Sequence, residues 1–339
     1  MKTITLQLPG NFAYTETTLD DQLSADEVLV KVHRIGICGT DYHAFQGNQP
    51  FFSYPRILGH ELGVEVAAVG AGVTQVAVGD ACSVEPYLNT TQDQAVRRGF
   101  TNCGENVTVL GVHIDGGMRE YLKVPAKYLH KSEQLSYEQL AVVEPLGIGC
   151  HAVNRAGIQR DDLVLVIGAG PIGLGAVLFA TATGAKTVLM DLNEDRLAFA
   201  RQTTEIAGTV VAGQEDTLAQ LREQFDGDLP TVVLDATGNR HSMSHALEYC
   251  ASAGRVVFIG LFQGDFSFHD PYFHRKELTL MASRNALPSD FRQIIRMMEE
   301  GSISTDAWIT HRAPFAGMIT QFEHWLKPES QVIKAVVSL

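Results

Sequence analysis

The glycine-rich run Gly168-Ala169-Gly170-Pro171-Ile172-Gly173 constrains this chain more than any other stretch of it. It follows a fully apolar segment, Leu163–Ile167, and opens a second apolar segment over 172–183. In a strand–turn–helix of this kind the first glycine permits the tight turn and the second lets backbone approach a pyrophosphate. The third lets helix and strand pack closely. The helix N-terminus then offers N–H groups and a positive dipole end to phosphates. Asp191 closes the next β-like run, about 20 residues further on, where a carboxylate accepts hydrogen bonds from a ribose 2′-hydroxyl and repels a 2′-phosphate. That favours NAD over NADP. Two alternatives stay open: Asp191 could cap the helix that begins near Asn193, and Arg196 could pair with a 2′-phosphate. Thr237, past a later strand, joins Gly168, Gly170, Pro171, Ile172, Gly173 and Asp191 as a candidate cofactor contact.

Around this turn the chain alternates. Strands at 163–167, 187–190, 209–211, 232–234, 256–259 and 278–281 interleave with helices at 172–183, 194–202 and 217–225, which predicts one doubly wound parallel sheet. Residues before about 145 read differently. EVLVKVHRIG and GVEVAAVGAGV are short, β-branched and bounded by glycine, so this part reads as strands and turns. A helix at 289–300 and a last strand at 331–337 lie beyond the sixth strand, and this tail is expected to rejoin the first domain. A length of 339 residues suits two domains. The stretch 163–185 is uncharged and long enough to span a bilayer, but its glycines and Pro171 fit a strand, a turn and a buried helix better.

The net charge of −13 disfavours nucleic acid and anionic lipid as partners. Cys38, Cys82, Cys103, Cys150 and Cys250 are too few and too scattered for a disulfide framework and suit a reducing compartment. The opening MKTITLQLPG alternates polar and apolar residues and has no signal-peptide core. A cytoplasmic protein is the expectation.

The first domain carries a second chemical signal. Gly36-Ile37-Cys38-Gly39-Thr40-Asp41-Tyr42-His43 sets a thiol, a hydroxyl, a carboxylate and an imidazole close together, Gly59-His60-Glu61 follows about twenty residues later, and Glu144-Pro145 stands just before the second domain. Thiolate, imidazole and carboxylate are ligand types that zinc accepts, and three protein ligands with an open fourth position define a catalytic site. Singly, each has a plain alternative: a buried thiol, a satisfied core imidazole, a helix-start acid.

GICGTDYH, GHE, VEP and GAGPIG, in this order, resemble the zinc-containing medium-chain dehydrogenase/reductase family, and the likeness extends to the final segment with Lys334. The chain is most similar to the polyol and threonine dehydrogenase branch. GNQPFFSYPRILGHE and SRNALPSDF resemble bacterial hexonate 5-dehydrogenases of the L-galactonate type. The resemblance implies an α/β fold, with a GroES-like β-domain (1–145, completed by 286–339) and a doubly wound Rossmann domain (146–285). It implies Cys38, His60 and Glu144 as ligands of one catalytic zinc per chain. Glu61 would hold the metal water or ligate transiently, Asp41 would fix the tautomer of His60, and Thr40 and His43 would form a proton relay. NAD-dependent oxidation of a secondary alcohol follows, on a small-molecule sugar acid or polyol, in a homodimer or homotetramer. Arg284, Asn285, Asn48 and Gln49 are the candidate substrate contacts, Arg284 as the carboxylate reader or else a surface or interface ion pair. The family commonly binds a structural zinc through four cysteines; here Thr90, Asp93, Val96 and Cys103 stand at those places, so that zinc is expected to be absent. The rival readings are a sorbitol, other polyol or threonine dehydrogenase, a zinc-free NADPH enone or quinone reductase, and a non-catalytic dinucleotide-binding protein.

Overall fold

The computed structural model describes residues 1–49, 52–213 and 216–339; Pro50 and Phe51, within GNQPFFSYPRILGHE, lie outside the described residues. The chain divides into two compact units, Met1–Pro145 with Leu287–Leu339, and Leu146–Ala286.

The second unit is built on six parallel strands. Their spatial order is Gly208–Val211, Lys186–Asp191, Leu163–Ile167, Val232–Asp235, Arg255–Phe258 and Thr279–Ala282. In sequence terms this is the doubly wound order 3-2-1-4-5-6, whose topological switch lies between the first and fourth strands. The central strands Leu163–Ile167 and Val232–Asp235 are apolar but for the buried Asp235 at the end of the second, as suits a sheet buried on both faces. Leu165, Ile167, Val188, Met190, Val233 and Val256 form a core with Leu221, Phe225 and Leu247 from the helices. The uncharged stretch 163–185 resolves into the strand Leu163–Ile167 and the helix Pro171–Ala182. No helix among the described residues is long and apolar enough to cross a membrane.

The turn between that strand and helix is sterically obligatory. Gly168 takes φ +104°, a left-handed conformation that favours glycine. A Cβ on Gly173 would lie 1.7 Å from the Gly168 carbonyl oxygen.

The first unit carries a seven-stranded sheet. Its order is Ile309–Pro314, Lys334–Ser338, Glu27–Ile37, Glu61–Val69, Ala81–Val84 and Leu129–Ser132, with Tyr121–Pro125 also paired to Glu27–Ile37. The tail strand Lys334–Ser338 runs antiparallel to Glu27–Ile37, with Ala335 opposite Ile37. It starts at Lys334 rather than at 331, because Gln331 turns the chain with φ 49°. Its Lys334 is 4% exposed and its ammonium donates to both oxygens of Glu61, itself fully buried, at 2.6 and 2.8 Å. Burial opposes that positive charge, but Glu61 and the other acidic groups nearby outweigh it and raise the Lys334 pKa.

The reading of residues before 145 as strands and turns needs correction: helices occupy Gly39–Phe45, Gln94–Arg97 and Tyr137–Ala141, and another begins at Val143. The first has only seven residues, too few to display a period. Distant aromatics hold it: Phe45 lies 5.2 Å from Phe12 and 5.1 Å from Phe322 of the tail helix Met318–Trp325, ring to ring.

Replacing Gly173 by alanine should destabilise the protein by about 1–3 kcal/mol through overpacking, read as an earlier urea midpoint. An unchanged midpoint would mean that the turn opens at no cost. Lys334→Met should cost more, about 3–5 kcal/mol, because it strands a buried carboxylate. Adding Glu61→Gln should recover most of that loss; no recovery would show that the lysine acts through packing alone.

Candidate active site and metal centre

Cys38 stands at the end of the long strand Glu27–Ile37 and forms the N-terminal cap position of the helix Gly39–Phe45. His60 and Glu61 enter the adjacent strand, where Glu61 lies opposite Gly36. That register explains Gly36: a Cβ there would fall 2.0 Å from Glu61 Oε2. One ligand atom from each of Cys38, His60 and Glu61 lies within 4.8 Å of the others, with His60 and Glu61 buried and Cys38 half-buried. Glu144 is not one of that group of three. It is 4% exposed in the first turn of the helix Val143–Ala156, and its Oε1 accepts a hydrogen bond from the buried phenol of Tyr87.

The electrostatics favour a cation here. Cys38, Asp41, Glu61 and Glu144 can all carry negative charge, against one buried ammonium, Lys334. Burial raises the pKa of Glu144, partly offset by the neighbouring His60. Burial also raises that of Asp41. For His60, burial disfavours the imidazolium, yet Cys38 and Asp41 beside it lift its pKa well above the ordinary value. A divalent cation would balance that charge in place of a proton. The donor set, thiolate with imidazole and carboxylate, matches zinc rather than calcium or magnesium, which take oxygen ligands. The residues fit the metal.

The expected hydrogen bond from His60 to Asp41 is not formed. Asp41 Oδ1 and His60 Nδ1 are 3.9 Å apart, and both are buried without a hydrogen-bond partner among the described residues. Asp41 Oδ2 accepts the Cys38 N–H at 2.9 Å, which ties the carboxylate to the start of its own helix, while Oδ1 faces His60 beyond hydrogen-bond distance. Thr40 and His43 occupy successive turns of that helix, Thr40 half-buried and His43 exposed. Asn48 follows, exposed, and Gln49 is half-buried.

In the second unit the dinucleotide turn is pre-formed. Ala169 N–H donates to Asp191 Oδ2 at 2.6 Å, and Asn193 N–H to Oδ1 at 2.8 Å. Asp191 does not cap the following helix; the Asn193 side chain does, accepting from the N–H groups of Asp195 and Arg196. Gly170 caps the helix Pro171–Ala182, and Pro171 fills its first turn, where no N–H partner is required. A Cβ on Gly168 would sit 3.3 Å from the Thr237 side chain, so these two residues meet at the switch point. Thr237 is held by the buried Asp235, which accepts from its N–H and its hydroxyl at 2.9 and 2.6 Å. Arg284, exposed, and Asn285, half-buried with φ 54°, follow the edge strand Thr279–Ala282.

Two contributors were given no role by the sequence reading, although Lys334 was named in the segment that carries the resemblance. Tyr87 left no signal there, since a tyrosine after a glutamate and a proline has no chemical signature. Lys334 had one: a single lysine in the otherwise apolar run Val332-Ile333-Lys334-Ala335-Val336-Val337. At the lobe, Asp93 accepts from the N–H groups of Ala95, Val96 and Glu105, so its carboxylate is engaged in capping the short helix Gln94–Arg97 and closing its loop.

Comparison with known proteins agrees with this geometry. Residues 24–134 match the alcohol dehydrogenase GroES-like domain and residues 171–300 the zinc-binding dehydrogenase domain. The chain is 44% identical to L-galactonate-5-dehydrogenase of Escherichia coli K12, over 92% of each chain. It is 32% identical to L-arabinitol 4-dehydrogenase of Hypocrea jecorina, over 93% of this chain and 86% of that one. The crystal structure of the alcohol dehydrogenase RspB from E. coli CFT073, complexed with NADH, superposes with a TM-score of 0.92 at 29% identity, covering 100% of this chain and 99% of that one. The chain therefore belongs to the zinc-type alcohol dehydrogenases of the medium-chain dehydrogenase/reductase family, NAD(P)-linked oxidoreductases with a GroES-like domain and a Rossmann domain.

Proposed function

We propose that this protein oxidises a secondary hydroxyl of a sugar acid to the ketone with NAD, and that the substrate is a hexonate such as L-galactonate, oxidised at C5. The observation that carries this reading is the buried thiol–imidazole–carboxylate group of Cys38, His60 and Glu61, in a chain 44% identical to an L-galactonate-5-dehydrogenase. When bound, zinc polarises the substrate hydroxyl and NAD accepts the hydride.

The side chains have distinct tasks in this reading. Cys38 and His60 hold the metal with Glu144, and Glu61 serves as the adjacent carboxylate, restrained by Lys334. The Thr40 hydroxyl accepts the substrate proton while handing on its own, and the exposed His43 imidazole takes up the relayed proton and releases it to water. The N–H groups at the start of the helix Pro171–Ala182 receive the pyrophosphate. Asp191 accepts from the adenosine ribose, and Thr237 lies beside the Gly168 turn. Arg284 grips the substrate carboxylate while Asn285, Asn48 and Gln49 bind hydroxyls.

Self-association into a homodimer or homotetramer is part of the reading. The edge strand Thr279–Ala282 and the exposed Leu261 and Phe268 support it. So is a cytoplasmic location, which the five free thiols suit.

One tightly held zinc per chain is expected by elemental analysis, and two would overturn the single-site reading. Cys38→Ser should leave turnover below a few percent while NAD binding persists, because the dinucleotide turn belongs to the other unit; substantial residual turnover would point to a zinc-free mechanism. Arg284→Lys should lower kcat/KM for a hexonate more than for sorbitol, since lysine loses the two parallel hydrogen bonds of a guanidinium. Equal losses would remove Arg284 as the carboxylate reader, and a wild-type preference for sorbitol or threonine would overturn the hexonate assignment.

A further inference from the structure

Of the three buried carboxylates beside the thiol and imidazole, Asp41, Glu61 and Glu144, the last two are restrained by different means. Glu61 is held by a full positive charge on both oxygens, through Lys334. Among the described residues, Glu144 is held on one oxygen, by a phenol. Tyr87 is 2% exposed and opens the short strand Tyr87–Asn89, where it pairs with Val109. Its ring is fixed from the side by Phe291, edge-on with centroids 6.4 Å apart. Phe291 in turn stacks on His130 at 4.7 Å, and His130 Nε2 lies 2.9 Å from the buried Glu85 carboxylate. The phenol cannot follow a carboxylate that turns.

We propose that Tyr87 is a positioning residue for Glu144: by donating to Oε1 it fixes the rotation of the carboxylate and presents Oε2 alone to the metal. The proposal rests on the reading of Glu144 as a zinc ligand. A phenol near neutral pH is protonated and so donates, without cancelling the carboxylate charge that attracts a cation. An unrestrained carboxylate can turn about its last bond and offer both oxygens. That would fill the position that a catalytic zinc keeps open for substrate. A group that orients a metal ligand without touching the metal is worth about 10–100-fold in affinity or activity.

The test uses the full chain loaded with Co(II), whose visible bands weaken as the coordination number rises. Tyr87→Phe keeps the ring and its packing and removes only the donor. It should retain one metal per chain, show weaker cobalt bands, and lose about tenfold in kcat with little change in KM for NAD. Phe291→Leu keeps the phenol but loosens its clamp, and should shift the bands part of the way in the same direction. Glu144→Gln is the control for the ligand reading. If it alters the bands while Tyr87→Phe and Phe291→Leu leave them as in wild type, Glu144 ligates and the positioning role is overturned. If Glu144→Gln itself leaves the bands unchanged, the ligand reading fails and the proposal with it.

Discussion

The ion pair between Lys334 and Glu61 joins residues 273 positions apart and fixes the chemistry of the first unit. Lys334 also donates to the Ile37 carbonyl at 3.3 Å, one residue before Cys38. A single ammonium on the tail strand therefore touches the two segments that carry Cys38 and His60. Burying two charges is costly, and their mutual attraction often does no more than offset that cost. The pair is better understood as specifying structure: it sets the tail strand in register beside Glu27–Ile37, and it leaves the cluster short of positive charge. Cys38, Asp41, Glu61 and Glu144 outnumber one lysine. A site with that imbalance favours a dication, and the same imbalance lifts the His60 pKa.

What could be read from the sequence follows the range of the interactions involved. The dinucleotide turn was legible because its demands are local: Gly173 must be glycine for the sake of Gly168, five positions away. The thiol and imidazole could be proposed by residue type, but their convergence needed the pairing of two strands. The helix Gly39–Phe45 was missed because its stability comes from Phe12 and Phe322 rather than from its own seven residues. Tyr87 was missed for a similar reason, since its partner Glu144 lies 57 positions away. Asp41 and His60 do come together, but at 3.9 Å, a distance set by the packing of two segments that the sequence alone does not fix.

Asp191 shows how one residue can serve fold and ligand together. Its carboxylate already accepts two backbone N–H groups, from Ala169 and Asn193. The glycine turn is thus held in shape by the acid that the sequence assigns to the ribose. Such preorganisation lowers the entropy lost when a dinucleotide binds. The Arg196 guanidinium stands close by, with Nη1 3.9 Å from where a Cβ on Gly170 would lie. In the proposed reading, selection between NAD and NADP would be a contest between this carboxylate and this guanidinium, of which the carboxylate accepts two backbone hydrogen bonds.

The lobe around residues 87–109 extends the same logic to a place where thiols are missing. A structural zinc gathers distant backbone by holding four side chains at one point. Here Asp93 gathers backbone directly: one carboxylate takes the N–H groups of Ala95 and Val96 at one end of the loop and of Glu105 at the other. Asn89 adds a second tie, its side-chain amide donating to the Thr101 carbonyl at 2.7 Å, and the strands Tyr87–Asn89 and Val107–Val109 close the base. Those contacts are weaker than metal–thiolate bonds, but they serve one more purpose. The strand they anchor begins with Tyr87, whose phenol is hydrogen-bonded to the carboxylate of Glu144, so the lobe and that carboxylate share one residue.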